Sequence, residues 1–89
     1  MSVLLVTYDL NSPGQKHTKL LEKIKQYNWA RLSESSYAIE TYESPQQVFD
    51  SLRPITDQND NLYVITLKRP YTGFGPQAVN DWLESKLPY

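Results

Sequence analysis

The chain has no cysteine, one histidine, one methionine and three glycines in 89 residues. Without cysteine there are no disulfides, thiolate nucleophiles or cysteine metal sites, so stability and chemistry rest on other groups. A single histidine, His17, excludes an ordinary zinc site built within one chain. No apolar run approaches the ~20 residues of a membrane span, and no basic region precedes the apolar residues near the amino terminus. The expected setting is cytoplasmic, with no membrane association. Neither sign of charge dominates, since the net charge is −1 and the isoelectric point is about 5.7. That balance argues against strong non-specific nucleic-acid binding, which normally requires a basic domain. The charge is unevenly spread, however. Lys16, Lys19, Lys23 and Lys25 crowd one stretch, whereas Asp50, Asp57, Asp60, Asp81 and Glu84 lie later.

What the chain does have is an apolar strand at its start. Val3-Leu4-Leu5-Val6 runs into Tyr8 and Asp9. A strand apolar on both faces belongs in the middle of a sheet covered on both sides. A carboxylate at its carboxyl end sits where sheet-based folds commonly place their chemistry. With 89 residues and 39% apolar content, the chain is one domain, residues 1–89, with a modest core. It is too short to cover both faces with its own helices. The expectation is a homodimer through the open sheet face, with Asp9 near the two-fold axis.

The remaining elements follow from local patterns. Ser12 and Pro13 open a helix whose stripe is His17, Leu20, Leu21, Ile24 and Tyr27, at three- and four-residue spacing. Gly14 weakens that start. Trp29 to Glu34 alternates at period two, and Tyr37, Ile39 and Thr41 line one face of a third segment, so the two form a hairpin with a short or bulged turn. Ser44-Pro45-Gln46-Gln47 spells a capping box, Val48, Phe49 and Leu52 are the buried stripe, and Pro54 stops the helix. Leu62 to Leu67 is a second apolar strand. A loop with Pro70, Gly73 and Gly75 leads to a closing helix with Val79, Trp82 and Leu83 on one side. Strand–helix–strand–strand–helix–strand is the order of a ferredoxin-like α+β sandwich, here with a short C-terminal helix. The first and third strands are expected at its centre and both helices on one face.

Several side chains offer chemistry. Asp9 is either a ligand for a hard divalent cation, completed by a second Asp9 across a dimer, or an acceptor for backbone N–H groups in the turn that follows. His17 is a proton donor or a partly buried imidazole satisfied by a carbonyl. Lys16, Lys19 and Lys23 form a ridge that either contacts phosphate or is simply solvated. Ser33, Ser35 and Ser36 have no adjacent His or Lys to activate them. The Arg69–Gly75 loop lacks the spacing and lysine of a phosphate-cradling loop. Seven tyrosines and two tryptophans suit base stacking and protein interfaces alike.

Tyr8-Asp9-Leu10, followed by a helix and then by Arg31-Leu32-Ser33-Glu34-Ser35-Ser36-Tyr37, resembles the Cas-two family of small CRISPR-associated adaptation proteins. The resemblance spans about residues 3 to 68, through element order more than identity. Tyr-Asp-Leu-Asn-x-Pro-Gly-Gln, the Trp29 strand, Ser35 to Thr41 and the closing Asp-Trp-Leu are similar to small bacterial and phage proteins labelled SinR-like. Virulence-associated protein D toxins are relatives of the same shape. In the Cas-two pattern an aspartate ends the first strand, an arginine opens the second and a serine begins the third. Asp9, Arg31 and Ser35 match these positions. Lys16 and Thr18 replace the family's arginines at the start of the first helix. The resemblance implies a homodimer acting on RNA or DNA, in its strongest form a Mg2+- or Mn2+-dependent endonuclease. Asp9 would then be the catalytic and metal-holding carboxylate, paired across the dimer, and Lys16, Arg31 and Ser35 the nucleic-acid contacts. The alternative is a non-catalytic dimeric scaffold or protein-interaction module with a protein partner. A small-ligand domain on the same fold is a third class.

Overall fold

A computed structural model describes residues 1–12 and 14–89; Pro13, expected in the first helical turn, lies outside the described residues. The chain forms a four-stranded antiparallel sheet with three α-helices among the described residues. The elements are β1 (Ser2–Asp9), α1 (Gly14–Ile24), β2 (Asn28–Ser33), β3 (Ser36–Thr41), α2 (Pro45–Leu52), a 3-10 turn (Arg53–Ile55), β4 (Asn61–Leu67) and α3 (Gln77–Lys86). Strand order across the sheet is β2-β3-β1-β4, so β1 and β3 are central. This small α+β domain is compatible with a ferredoxin-like fold.

Local signals account for most boundaries. The Ser44 hydroxyl accepts from the Gln47 backbone at 3.1 Å, and Gln47 Oε1 accepts from the Ser44 backbone at 2.8 Å. This reciprocal cap starts α2, with Pro45 in the first turn, where its missing N–H costs nothing. Pro54 ends α2 by continuing the chain into the 3-10 turn. The β2–β3 hairpin turns at Glu34 and Ser35, with a bulge between Arg31 and Ser33. Gly14 proves suited to its place rather than a weakness, because its φ of +33° lies in the region L side chains avoid.

Alternation along the strands sorts the core into two clusters. Leu4, Val6 and Tyr8 from β1 join Tyr37, Ile39 and Leu62 on one face. Register puts Val6 opposite both Tyr37 and Val64. Leu20 and Ile24 of α1 and Val48 and Leu52 of α2 close over that face, each fully buried. At roughly 25 cal/mol per Å2 of apolar surface removed from water, such side chains contribute about 2 kcal/mol apiece.

The opposite face departs from expectation. It is not left wholly to a second copy, because the chain's own α3 packs on part of it. Val3, Ala38 and Leu87 form a second buried cluster flanked by Leu67, Trp82 and Leu83. Polar contacts at its rim hold α3 there. Trp82 Nε1 donates to Asn28 Oδ1 at 3.2 Å, Lys86 pairs with Glu40 at 3.4 Å, and the Arg69 guanidinium donates to Glu84 and to the Leu87 carbonyl. The cover reaches only one end. Towards the carboxyl end of β1, Tyr63 and Ile65 stay 62% and 49% exposed. No helix among the described residues is long and apolar enough to cross a membrane.

Candidate functional site

At the end of β1 consecutive residues face opposite ways, so Tyr8 points under the helices and Asp9 does not. Tyr8 is buried and Asp9 exposed. The chain then turns into α1, which runs back over the sheet and brings His17 above Tyr8. The two rings lie 5.9 Å apart, with Tyr8 Oη 3.1 Å from His17 Nε2. Tyr8 Oη also donates to the Glu34 carbonyl at 3.2 Å. A phenol has one proton and a carbonyl only accepts. With that proton on Glu34 O, Nε2 is the donor towards Tyr8, and Nδ1 carries the imidazole's lone pair. Burial pushes the Tyr8 hydroxyl up to about 12, the Tyr37 phenol adding and the Arg31 charge opposing, so Tyr8 stays neutral near pH 7.

Around this pair lies a cavity of about 320 Å3 lined by Tyr8, Asp9, Leu10, His17, Glu34 and Ser35. Among the described residues Asp9 makes no side-chain hydrogen bond or ion pair. Ser35 accepts the Tyr8 N–H with its carbonyl at 3.0 Å, which locks the hairpin turn against the end of β1. Ser33 accepts from the Ser35 N–H at 3.4 Å, whereas Ser36 turns to Thr7 at 2.9 Å. The three serines therefore do not act as one group.

The carboxylate that secures the turn after β1 is Asp60, not Asp9. Its side chain is wholly buried beside the Lys16 ammonium, at 2.8 Å. It also accepts from the backbones of Asn11 at 2.7 Å and Asp57 at 2.8 Å. Lys16, then these two N–H groups, hold the Asp60 carboxyl down at about 2. Asp57, at 2.8 Å, and Asp60 together push the Lys16 ammonium up. This knot ties the β1–α1 turn to the loop before β4. It commits the Lys16 ammonium to two carboxylates, and Lys16 does not line the cavity.

Of the expected site residues, then, Asp9 and Ser35 meet at one cavity with His17. Arg31 does not line it; register places Arg31 opposite Tyr37 on the sheet face that Tyr8 shares, and its charge opposes the rise at the Tyr8 hydroxyl. The Arg31 Nε donates to the Ser33 carbonyl at 3.3 Å, and the terminal guanidinium nitrogens have no hydrogen bond or ion pair among the described residues. Residue-type reasoning passed over Tyr8, although strand parity and the His17 stripe together place the two side by side. Asp60 carried no such signal, because a carboxylate in a polar turn is ordinary. No three His, Cys, Asp or Glu side chains among the described residues cluster as metal ligands. A divalent cation at Asp9 would therefore draw its other oxygens from elsewhere, such as a second copy, water or a substrate phosphate.

No family model and no curated protein matches the chain. Among solved structures it is similar to the crystal structure of a hypothetical protein, TT1823, from Thermus thermophilus, with a TM-score of 0.64 at 20% identity. The match covers 84% of this chain and 94% of that one, and it is a likeness of fold.

Proposed function

We propose that the chain acts on nucleic acid at the cavity closing β1, as a homodimer of Cas-two type on a ferredoxin-like fold. One observation carries this reading. Asp9 is an exposed carboxylate with no described partner, at a cavity shared with an imidazole and a serine, while Asp60 performs the structural duty nearby. Phosphodiester hydrolysis needs a group to take a proton from the attacking oxygen and another to give one to the leaving oxygen. Asp9 takes the first role and His17 the second, in its imidazolium form with a proton on Nδ1 as well as on Nε2, while Tyr8, itself held by the Glu34 carbonyl, fixes the ring through Nε2. Arg31 offers its free guanidinium nitrogens to the phosphate, and Ser35 orients the attacking or leaving oxygen. Magnesium or manganese enters this reading only if a partner copy adds its own carboxylate across the two-fold axis.

The test is cleavage of labelled single-stranded RNA and double-stranded DNA with magnesium, manganese or EDTA. Wild type is compared with Asp9→Ala and His17→Gln. Cutting that falls by about a hundredfold or more in either variant is the expected result. Dependence on a cation would further require the paired carboxylates. Absence of cutting, or cutting unchanged in both variants, ends the catalytic reading and leaves a dimeric scaffold.

A further inference from the structure

β2 is an edge strand, and edge strands usually protect themselves with charge and short length. This one instead carries a tryptophan. Trp29 and Arg31 alternate onto the face of β2 that looks towards α1, because register places Trp29 opposite Ile39 and Arg31 opposite Tyr37. The indole packs against the Tyr37 ring, with centroids 5.8 Å apart and planes tilted by 58°. Trp29 nevertheless stays 38% exposed. Over the indole lies the Lys25 ammonium, 4.9 Å from the ring centroid, supplied by the turn after α1. Arg31 follows two residues along the strand, opposite Tyr37, which pairs in turn with Val6 of β1, two residues before Tyr8. The result is a line of cation, aromatic ring and cation that runs along β2 towards the hairpin turn, where the Ser35 carbonyl meets the Tyr8 N–H at the edge of the cavity. In a chain of net charge −1 this is a local feature, not the residue of a general basic character.

A single nucleic-acid strand presents the matching sequence of phosphate, unpaired base and phosphate. Base faces inside a duplex are already stacked and cannot reach an indole, so an exposed aromatic flanked by cations favours single strands. We propose that Lys25, Trp29 and Arg31 form a track for single-stranded nucleic acid that feeds the cavity. One base stacks on Trp29 in place of the Lys25 ammonium, which moves aside with Arg31 to take the flanking phosphates. This rests on the reading of the cavity as a site acting on nucleic acid.

Trp82 lies on the opposite sheet face, so the full-length Trp82→Phe protein makes Trp29 the sole tryptophan reporter. Oligouridylate, oligothymidylate, duplex RNA and duplex DNA are titrated against it, following Trp29 emission. Anisotropy of the labelled strands is then measured with Trp29→Ala, Trp29→Phe and Arg31→Gln, each checked for folding by circular dichroism. The single strands should quench Trp29 to saturation and bind about tenfold or more tighter than duplexes. Trp29→Ala should lose about tenfold in affinity, and Trp29→Phe should retain most of it. Arg31→Gln should lower the slope of log affinity against log salt by about 0.7, one phosphate on a single strand. A preference between uridylate and thymidylate tells whether the strand is RNA or DNA, and either supports the track. Duplex preference, or binding without quenching and unchanged in Trp29→Ala, overturns the track alone and leaves the cavity to be judged by cleavage. Failure to bind any of the four overturns both. Binding with the expected variant effects but no cleavage keeps the track and discards only the catalytic reading.

Discussion

On one face of β1, Leu4, Val6 and Tyr8 lie under two helices whose facing side chains are fully buried. On the other face Val3 is equally buried under α3, but Leu5 and Thr7 are half-buried and Asp9 is exposed. The same strand, by strict alternation, feeds a closed core and a partly open one. The closed face is held by apolar packing between elements adjacent in the chain. The other is held by a helix that returns after a long loop and is fastened at its rim by Asn28–Trp82, Glu40–Lys86 and the Arg69 contacts. Exposed polar fastenings of this kind contribute little each and are weakened by salt. The chain thus closes the face that its short connections can reach and leaves open the end where Asp9, without a side-chain partner among the described residues, stands.

The sharpest way to break this comparison uses two valines in the same strand. Val6 and Val3 are both essentially buried and differ in which cluster they join. Val6→Ala should cost about 2.5 kcal/mol, the lost transfer energy plus a cavity that neither helix can fill. Val3→Ala should cost about half as much, because α3 can settle into the space. Urea denaturation of both variants measures this. Equal costs would show that α3 is as rigid a cover as the two helices.

A second test concerns the polar knot at the end of β1. Asp60 keeps its proton off down to about 2, below the ordinary aspartate value of 3.8. A carboxyl lowered by folding stabilises the fold above its unfolded value and loses that contribution as pH falls towards its folded one. Asp60→Asn retains the shape but not the charge opposite Lys16. Its Tm at pH 7 should drop by on the order of five to ten degrees. The gap to wild type should narrow between about pH 4 and pH 2, where the wild type loses what the variant never had. A gap that stays constant through that window would mean that the charge contributes nothing.

These contrasts also show what could be inferred before the structure. The capping box at Ser44 and the stripe of Leu20 and Ile24 are local, and both formed as expected. So did the central place of β1, because four apolar residues in a row admit few other positions. The amphipathic side of α3, with Val79, Trp82 and Leu83, was equally plain. Its destination was not, because nothing between Lys68 and Pro76 states which face the chain returns to. Lys16 is the same lesson in charge. Its spacing marks a lysine ridge, but its partners are 41 and 44 residues away. Asp9, His17 and Ser35 were identifiable as chemically able side chains, and their meeting at one cavity depended on the hairpin turn docking beside β1.

The smallest expected effect on folding bears on the largest question about the open face. Ile65 lies opposite Leu5, and Tyr63 opposite Thr7, beyond the reach of α3. Ile65→Glu should change monomer stability by no more than about 0.5 kcal/mol, since the side chain is already half in water. If two copies meet through this face, the same change places two carboxylates at an apolar contact and should turn a dimer into a monomer by sedimentation equilibrium. Stable dimers bury about 1,200–2,000 Å2 in total, more than these four side chains supply. A dimer here must therefore recruit neighbours, and Phe74, fully exposed in the loop before α3, is an apolar side chain on the same chain that could extend the patch. Phe74→Ser should then weaken association less than Ile65→Glu. A wild type that sediments as a monomer, or a dimer indifferent to Ile65→Glu, would remove the open sheet face as the interface and with it the pairing of the two Asp9 carboxylates.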